Sequence, residues 1–172
     1  EIEWLKQEEL LKHNILSSIH RILLPGRKRD DFEKKMIEAK IIKKLAIKRE
    51  LNLTLLTITN LQNKNECIDF LYQLGKLFNG ITITKKVLIS ESPVESILDE
   101  ASKSYDLILI GATEKDKKSG QVFNPIVDDI VRLSPSISIV VQSGSHHENW
   151  EPKKILVPTN GSLAARRAAQ VA

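Results

Sequence analysis

Five short aliphatic and β-branched runs, separated by longer stretches with helical spacing, limit this chain to very few architectures. The runs are RILLP (21–25), LNLTLLTIT (51–59), ITITKKVLI (81–89), DLILI (106–110) and ISIVV (137–141). The stretches between them are too long for hairpin turns and long enough for the crossovers that parallel strands require. Such crossovers are right-handed and place helices on both faces of one sheet. The expected fold is therefore α/β, a doubly wound, Rossmann-like sheet of five parallel strands.

The connecting stretches carry their own signals. In 30–50, Phe32, Met36, Ala39, Ile42 and Ala46 recur every three or four residues, with lysines and glutamates assigned to the opposite, solvated face. CIDFLYQLGKLF (67–78) reads as a second helix, and Asn79-Gly80 supplies a left-handed stop. Ser92-Pro93-Val94-Glu95 has the form of a capping box, followed by Val94, Ile97, Leu98 and Ala101 on one helical face. Asn124-Pro125 opens a fourth helix through Ile126, Val127, Ile130 and Val131, and Ser134-Pro135 ends it. Weak polar alternation in 51–59 predicts a strand buried on both faces.

The ends of the chain have a different character. Residues 1–20 read as a connector helix, because Glu8 and Lys12 interrupt a stripe made by Trp4, Leu5, Leu11, Ile15, Leu16 and Ile19. The five-stranded domain takes 21–142, and 143–153 is a polar linker. KILVP at 154–158 then repeats RILLP, pairing Arg21 with Lys154, Ile22 with Ile155, Leu23 with Leu156, Leu24 with Val157 and Pro25 with Pro158. Residues 154–172 are therefore expected to be the first strand and helix of a second, truncated repeat.

Composition narrows the function. Hydrophobic residues make up 41% and charged residues 28% of 172, the profile of a globular chain. The longest apolar runs fall far short of a membrane helix, and the acidic start EIEWLKQEEL is unlike a secretory signal, so a cytoplasmic location is expected. A single cysteine, Cys67, forms no internal disulfide and is expected to pack in the core. The charge of +4 comes from dispersed lysines with only 5% aromatic residues, which argues against a nucleic-acid partner. His146-His147 lacks further ligands at metal-binding spacing, and His13 and His20 read as surface residues, so no metal is expected. No serine, histidine and acid set suggests nucleophilic catalysis.

In open parallel sheets, ligands bind beyond the carboxyl ends of the strands where strand order reverses. The loops of interest are 26–30 and 111–123. The first reads GRKRDD in place of GxGxxG, and no P-loop occurs, which excludes the common dinucleotide and P-loop chemistries. A phosphoryl-accepting receiver would need an aspartate after the third strand, where the chain has Ile89-Ser90; Asp30 and Asp31 read as first-turn acids that complement a helix dipole. The loop GATEKDKKSGQVFNP (111–125) admits two readings. One is a phosphate site using Gly111, the following helix start and Lys115, Lys117 or Lys118; the other is a solvated loop, which composition favours.

The element order, this loop and the repeat resemble the universal stress protein family, and IVRLSPSISIVV (130–141) is similar to that family's ending. The resemblance implies a five-stranded parallel sheet that binds an adenine nucleotide, ATP or AMP, through a loop of Gly, two residues, Gly, nine residues and Gly-Ser. Here Gly111 matches the first glycine, Glu114 replaces the second, and Asn124-Pro125 replaces Gly-Ser. The family's aspartate after the first strand falls at Arg27, following Gly26. The implied site of the first repeat, with Gly26, Arg27, Gly111, Ala112, Thr113, Glu114, Asn124 and Pro125, is thus degenerate. Glu114 sets a carboxylate where phosphate would lie, and Pro125 lacks an N–H to hold it. In the second repeat, Pro158, Thr159, Asn160, Gly161 and Ser162 stand closer to the family pattern, and its glycine loop is expected beyond residue 172.

VFNPIVDDIVRLSP and KILVPTNGSLAARRAAQVA also resemble the cytosolic tail of bacterial cation/proton antiporters. The function implied is a non-enzymatic regulatory domain that senses an adenine nucleotide or docks to a partner domain of such an antiporter. Two alternatives stand beside it: a free-standing stress protein that hydrolyses ATP slowly, and a homodimerisation module built on the last strand.

Overall fold

A computed structural model describes residues 18–28, 32–47, 50–112 and 124–142, with the backbone alone at 33 and 34. The expected connector helix (apart from 18–20), linker and second repeat lie outside the described residues. The strands and α-helices among the described residues belong to one compact unit, His20–Trp150. In chain order they are β1 (Arg21–Pro25), α1 (Phe32–Ala46), β2 (Asn52–Thr59), α2 (Lys64–Gly75) with a 3-10 turn (Lys76–Phe78), β3 (Thr82–Ile89), α3 (Pro93–Ala101), β4 (Leu107–Ala112), α4 (Pro125–Leu133) and β5 (Ile137–Gln142). The sheet order is β3-β2-β1-β4-β5, and every strand pair is parallel.

The expected doubly wound sheet is therefore present, with the strand order reversing between β1 and β4. Side chains alternate across the sheet. Leu23, Leu56, Ile108 and Ile110 pack with Ile97 and Ala101 of α3, Val127 and Ile130 of α4, and Tyr105. Ile22, Leu24, Leu53, Leu55, Leu107 and Leu109 are buried on the opposite face, which α1 and α2 cover with Ile42, Leu71 and Leu74. Cys67 is buried in α2, as expected. β3 is an edge strand whose Lys85 and Lys86 interrupt the apolar pattern, a common guard against pairing with other chains.

Three local expectations need correction. The phase of α1 differs from the apolar stripe: Phe32 and Met36 are each 41% exposed, while Lys35, Glu38, Ala39 and Ile42 form the buried face at the same helical spacing. Ser92 makes no side-chain cap; its carbonyl oxygen instead accepts from the Ser96 hydroxyl, so no capping box forms. The second helix begins at Lys64 and gives way to the 3-10 turn at Lys76, although Gly80 does take the expected left-handed conformation with φ +84°. No helix among the described residues is long and apolar enough to cross a membrane.

The amino ends of the central strands are fastened by polar groups. The Asp106 carboxylate accepts from the His20 and Arg21 amides at 2.9 and 2.8 Å, tying the start of β1 to the start of β4. Nearby, buried Glu100 accepts from Lys86 at 2.5 Å, Lys103 at 2.9 Å and the Tyr105 hydroxyl at 2.7 Å. The Thr54 hydroxyl lies 3.0 Å from the same Tyr105 oxygen, and the Arg21 guanidinium lies over the Tyr105 ring at 4.9 Å. Burial alone would raise the Glu100 carboxyl, but the three hydrogen bonds outweigh it and lower the group from 4.5 to about 2.

A carboxyl depressed in this way stabilises the fold above its unfolded value and loses that contribution as pH falls toward its folded value. Urea unfolding should therefore weaken between pH 4.5 and about 2, by at most about 3 kcal/mol from this group. Glu100→Gln should flatten that part of the profile; an unchanged slope in the variant would assign the acid sensitivity to other groups.

Candidate ligand site at the switch point

Where the strand order reverses, the β1–β4 ladder is short. Ile22 pairs with Leu107 and Leu23 with Ile108, whereas β1 stays paired with β2 as far as Pro25 and Leu56. Pro25 carries no N–H to extend the ladder. The same register continued three residues places Gly26 level with Gly111, so the two glycines mark the carboxyl ends of β1 and β4. Gly26 is fixed to β2 on its other side. Its N–H donates to the Leu56 carbonyl at 2.9 Å, and its carbonyl accepts from the buried Thr57 hydroxyl at 2.9 Å.

Both glycines leave space on the face covered by α1, and an ion pair fills it. Lys35 Nζ lies 2.9 Å from both carboxylate oxygens of Glu38, one helical turn on, and the two residues are 2% and 1% exposed. A Cβ at Gly26 would meet Lys35 Cε and Nζ at 3.7 Å and Phe70 Cε1 at 3.6 Å, which is ordinary contact. A Cβ at Gly111 would collide with Glu38 Oε1. Burying two charges costs several kcal/mol each before attraction offsets it, so the two-pronged geometry is what makes the pair tolerable. The pair brings a cation to the switch point, but a cation already matched by a carboxylate.

The candidate residues separate accordingly. Gly26 and Gly111 come together as described, while Arg27 is exposed in the β1–α1 loop. The neighbouring Lys28 forms a surface ion pair with Glu66 of α2. Ala112 is 4% exposed and belongs to the core on the α3–α4 side of the sheet, away from the face that the ion pair occupies. The Asn124 side chain accepts from the Val127 amide at 3.0 Å, so it caps α4, and Pro125 is the exposed first residue of that helix. Thr113, Glu114, Lys115, Lys117 and Lys118 lie outside the described residues, as do Pro158, Thr159, Asn160, Gly161 and Ser162.

Polarity alone assigns Lys35 and Glu38 to the solvent face of α1, so the apolar pattern of the sequence does not reveal them. The available signal was their three-residue spacing in phase with Ala39 and Ile42, on a helix that follows Gly26. Among the described residues, no three His, Cys, Asp or Glu side chains converge to hold a metal ion. A separate groove of about 290 Å³ lies between α2 and β3, lined by Lys64, Ile68, Leu71, Tyr72, Lys85 and Val87, two strands from the switch point. The Lys85 ammonium sits 4.5 Å from the centre of the Tyr72 ring there.

Comparison with known proteins places this fold without placing the sequence. No family model and no curated protein sequence matches the chain. Among solved structures, it is similar to a hypothetical protein whose biochemical function was assigned from its structure, with a TM-score of 0.62 and 19% identity over 74% of this chain and 99% of that one. It is also similar to a universal stress protein in complex with cAMP, at 0.58 and 13% identity over 73% and 98% of the two chains. A third similar structure is the universal stress protein from Archaeoglobus fulgidus in complex with dAMP, at 0.55 and 15% identity over 70% and 96%. The shared property is the five-stranded parallel α/β fold.

The two glycines should respond differently to a methyl group. Gly111→Ala must push the Glu38 carboxylate off Lys35 and is expected to cost about 3 kcal/mol in urea unfolding. Gly26→Ala has ordinary contacts and should stay within about 1 kcal/mol of the parent. Equal effects at the two positions would show that Glu38 is not seated over Gly111.

Proposed function

We propose that this chain is a non-enzymatic regulatory module of universal stress protein type on the cytosolic side of a cation/proton antiporter, set by an adenine nucleotide or a docked partner domain. The observation that carries this reading is the switch point between β1 and β4, in a fold shared with universal stress proteins solved with cAMP and dAMP. The antiporter connection is supported by the resemblance of VFNPIVDDIVRLSP and KILVPTNGSLAARRAAQVA to antiporter tails.

The first unit is a poor receptor in this reading. Arg27 replaces the expected aspartate, Pro125 removes an N–H, Asn124 is engaged as a helix cap, and Lys35 is matched by Glu38. The nucleotide is therefore assigned to the second repeat, with Pro158, Thr159, Asn160, Gly161 and Ser162 as its first turn. Titration calorimetry of ATP, ADP, AMP and cyclic di-AMP against the full-length protein tests this. At least one should bind, and Asn160→Ala should weaken it about tenfold or more, the loss expected of one good hydrogen bond to a polar ligand. Absence of heat from every nucleotide would remove the sensing role and leave partner docking.

A second reading, homodimerisation, is favoured by one surface. The strand β5 is an edge strand with half-buried aliphatic residues, and α4 beside it exposes Val131 and Leu133 at 39% and 62%. Light scattering should then give a dimer mass that falls to a monomer on Val131→Glu with Leu133→Glu. A monomer at high concentration in the parent chain would sink this reading.

A further inference from the structure

We infer that the Glu38 carboxylate occupies, from within the chain, the place of an anionic ligand on Lys35, so that the first unit takes a phosphate-bearing compound only when that carboxylate is removed. Three observations carry the inference. The pair lies at the carboxyl ends of β1 and β4, where ligands of open parallel sheets bind. Gly26 and Gly111 clear space there, and the pair fills it closely enough to bar a Cβ at Gly111. Lys35 is the one lysine buried among the described residues, and both Glu38 oxygens lie 2.9 Å from its ammonium, the two-oxygen contact that a phosphate would also offer.

The other lysine–glutamate contacts have a different character. Lys28 and Glu66 are both open to solvent, and Glu100 pairs with Lys86 and Lys103, which are 36% and 60% exposed. Those lysines keep part of their hydration, whereas Lys35 depends on its chain partners. Truncation of Glu38 to alanine would take that carboxylate from beside the buried ammonium and open a hollow of carboxylate size. An anion that enters there would take the place of the lost carboxylate in both charge and volume.

The ligand class rests on the proposed nucleotide reading, but the experiment is separate from it, because it concerns variants of the first unit and starts from inorganic phosphate. Melting temperatures of the 1–172 chain would be compared for the parent, Glu38→Ala and Lys35→Met with Glu38→Ala, each with and without millimolar phosphate or AMP. Phosphate stabilises many proteins non-specifically, so the parent and the double variant set the baseline. Glu38→Ala should melt lower than the parent and gain roughly 4 °C or more from phosphate or AMP above that baseline. A larger gain with AMP than with phosphate would identify a nucleotide, and equal gains a simple phosphate, both in support.

The inference is overturned if folded Glu38→Ala gains no more than the parent, or if the double variant gains as much. If Glu38→Ala does not fold in low-phosphate buffer, recovery of its circular dichroism on refolding in phosphate supports the inference, and failure to recover counts against it. Glu38→Gln, which keeps the volume and removes the charge, should fold and gain less than Glu38→Ala. A gain in Glu38→Gln equal to that in Glu38→Ala would also overturn the inference, because the space occupied by residue 38 would then not govern entry.

Discussion

Strand β1 constrains everything else in the molecule. It has five residues, a neighbour on each edge and helices over each face, and all but Arg21 are buried. A strand in that position has no route to water for its backbone, so its ends must be finished by specific partners. At the amino end the Asp106 carboxylate takes the His20 and Arg21 amides; at the carboxyl end Gly26 bonds to Leu56 and Thr57. Its pairing with β4 stops after Leu23 and Ile108, so the sheet opens toward its carboxyl end. The candidate site is a consequence of how this strand is terminated.

Two buried carboxylates sit at opposite ends of the sheet and are handled differently. Glu100 of α3 collects three donors, one from β3 and two from the turn between α3 and β4, so the loss of one donor leaves two. Its cluster links helix and strands across the amino end and has a clear stabilising role. Glu38 meets Lys35 of its own helix through both carboxylate oxygens, against strand ends that carry no side chains. The first arrangement fastens the amino end of the sheet, and the second brings charged groups to the switch point.

How far the sequence could be read follows from the same distinction. Runs such as LILI and the stretches between them encode the sheet and its crossovers, because fully buried parallel strands have few polar residues. Gly26 and Gly111 were legible as strand-end glycines, and their loops as the flanks of the switch point. The face of α1 was not legible, because an apolar stripe assigns Phe32 and Met36 inward and Lys35 and Glu38 outward, while tertiary pairing reversed both. Ser92 followed by Glu95 has the letters of a capping box but not the bonds, whereas the less distinctive Asn124 does cap its helix. Polarity patterns report average solvation, and they fail where two charges satisfy each other.

Stability alone gives little reason for an ion pair at Gly26 and Gly111. Replacing a buried pair with apolar side chains of similar volume is often neutral or stabilising, since desolvation offsets most of the attraction. The surroundings could accept such a replacement: Phe70 lies close to Gly26, and Ile42 is buried one turn beyond Glu38 on α1. The space above the glycines would then have closed with an aliphatic or aromatic side chain and no charge. Instead it holds an ammonium and a carboxylate, both almost fully buried and aligned in two-pronged fashion. A lysine at the carboxyl ends of parallel strands has the chemistry of a phosphate receptor, and a glutamate three residues away has the shape to stand in for the phosphate.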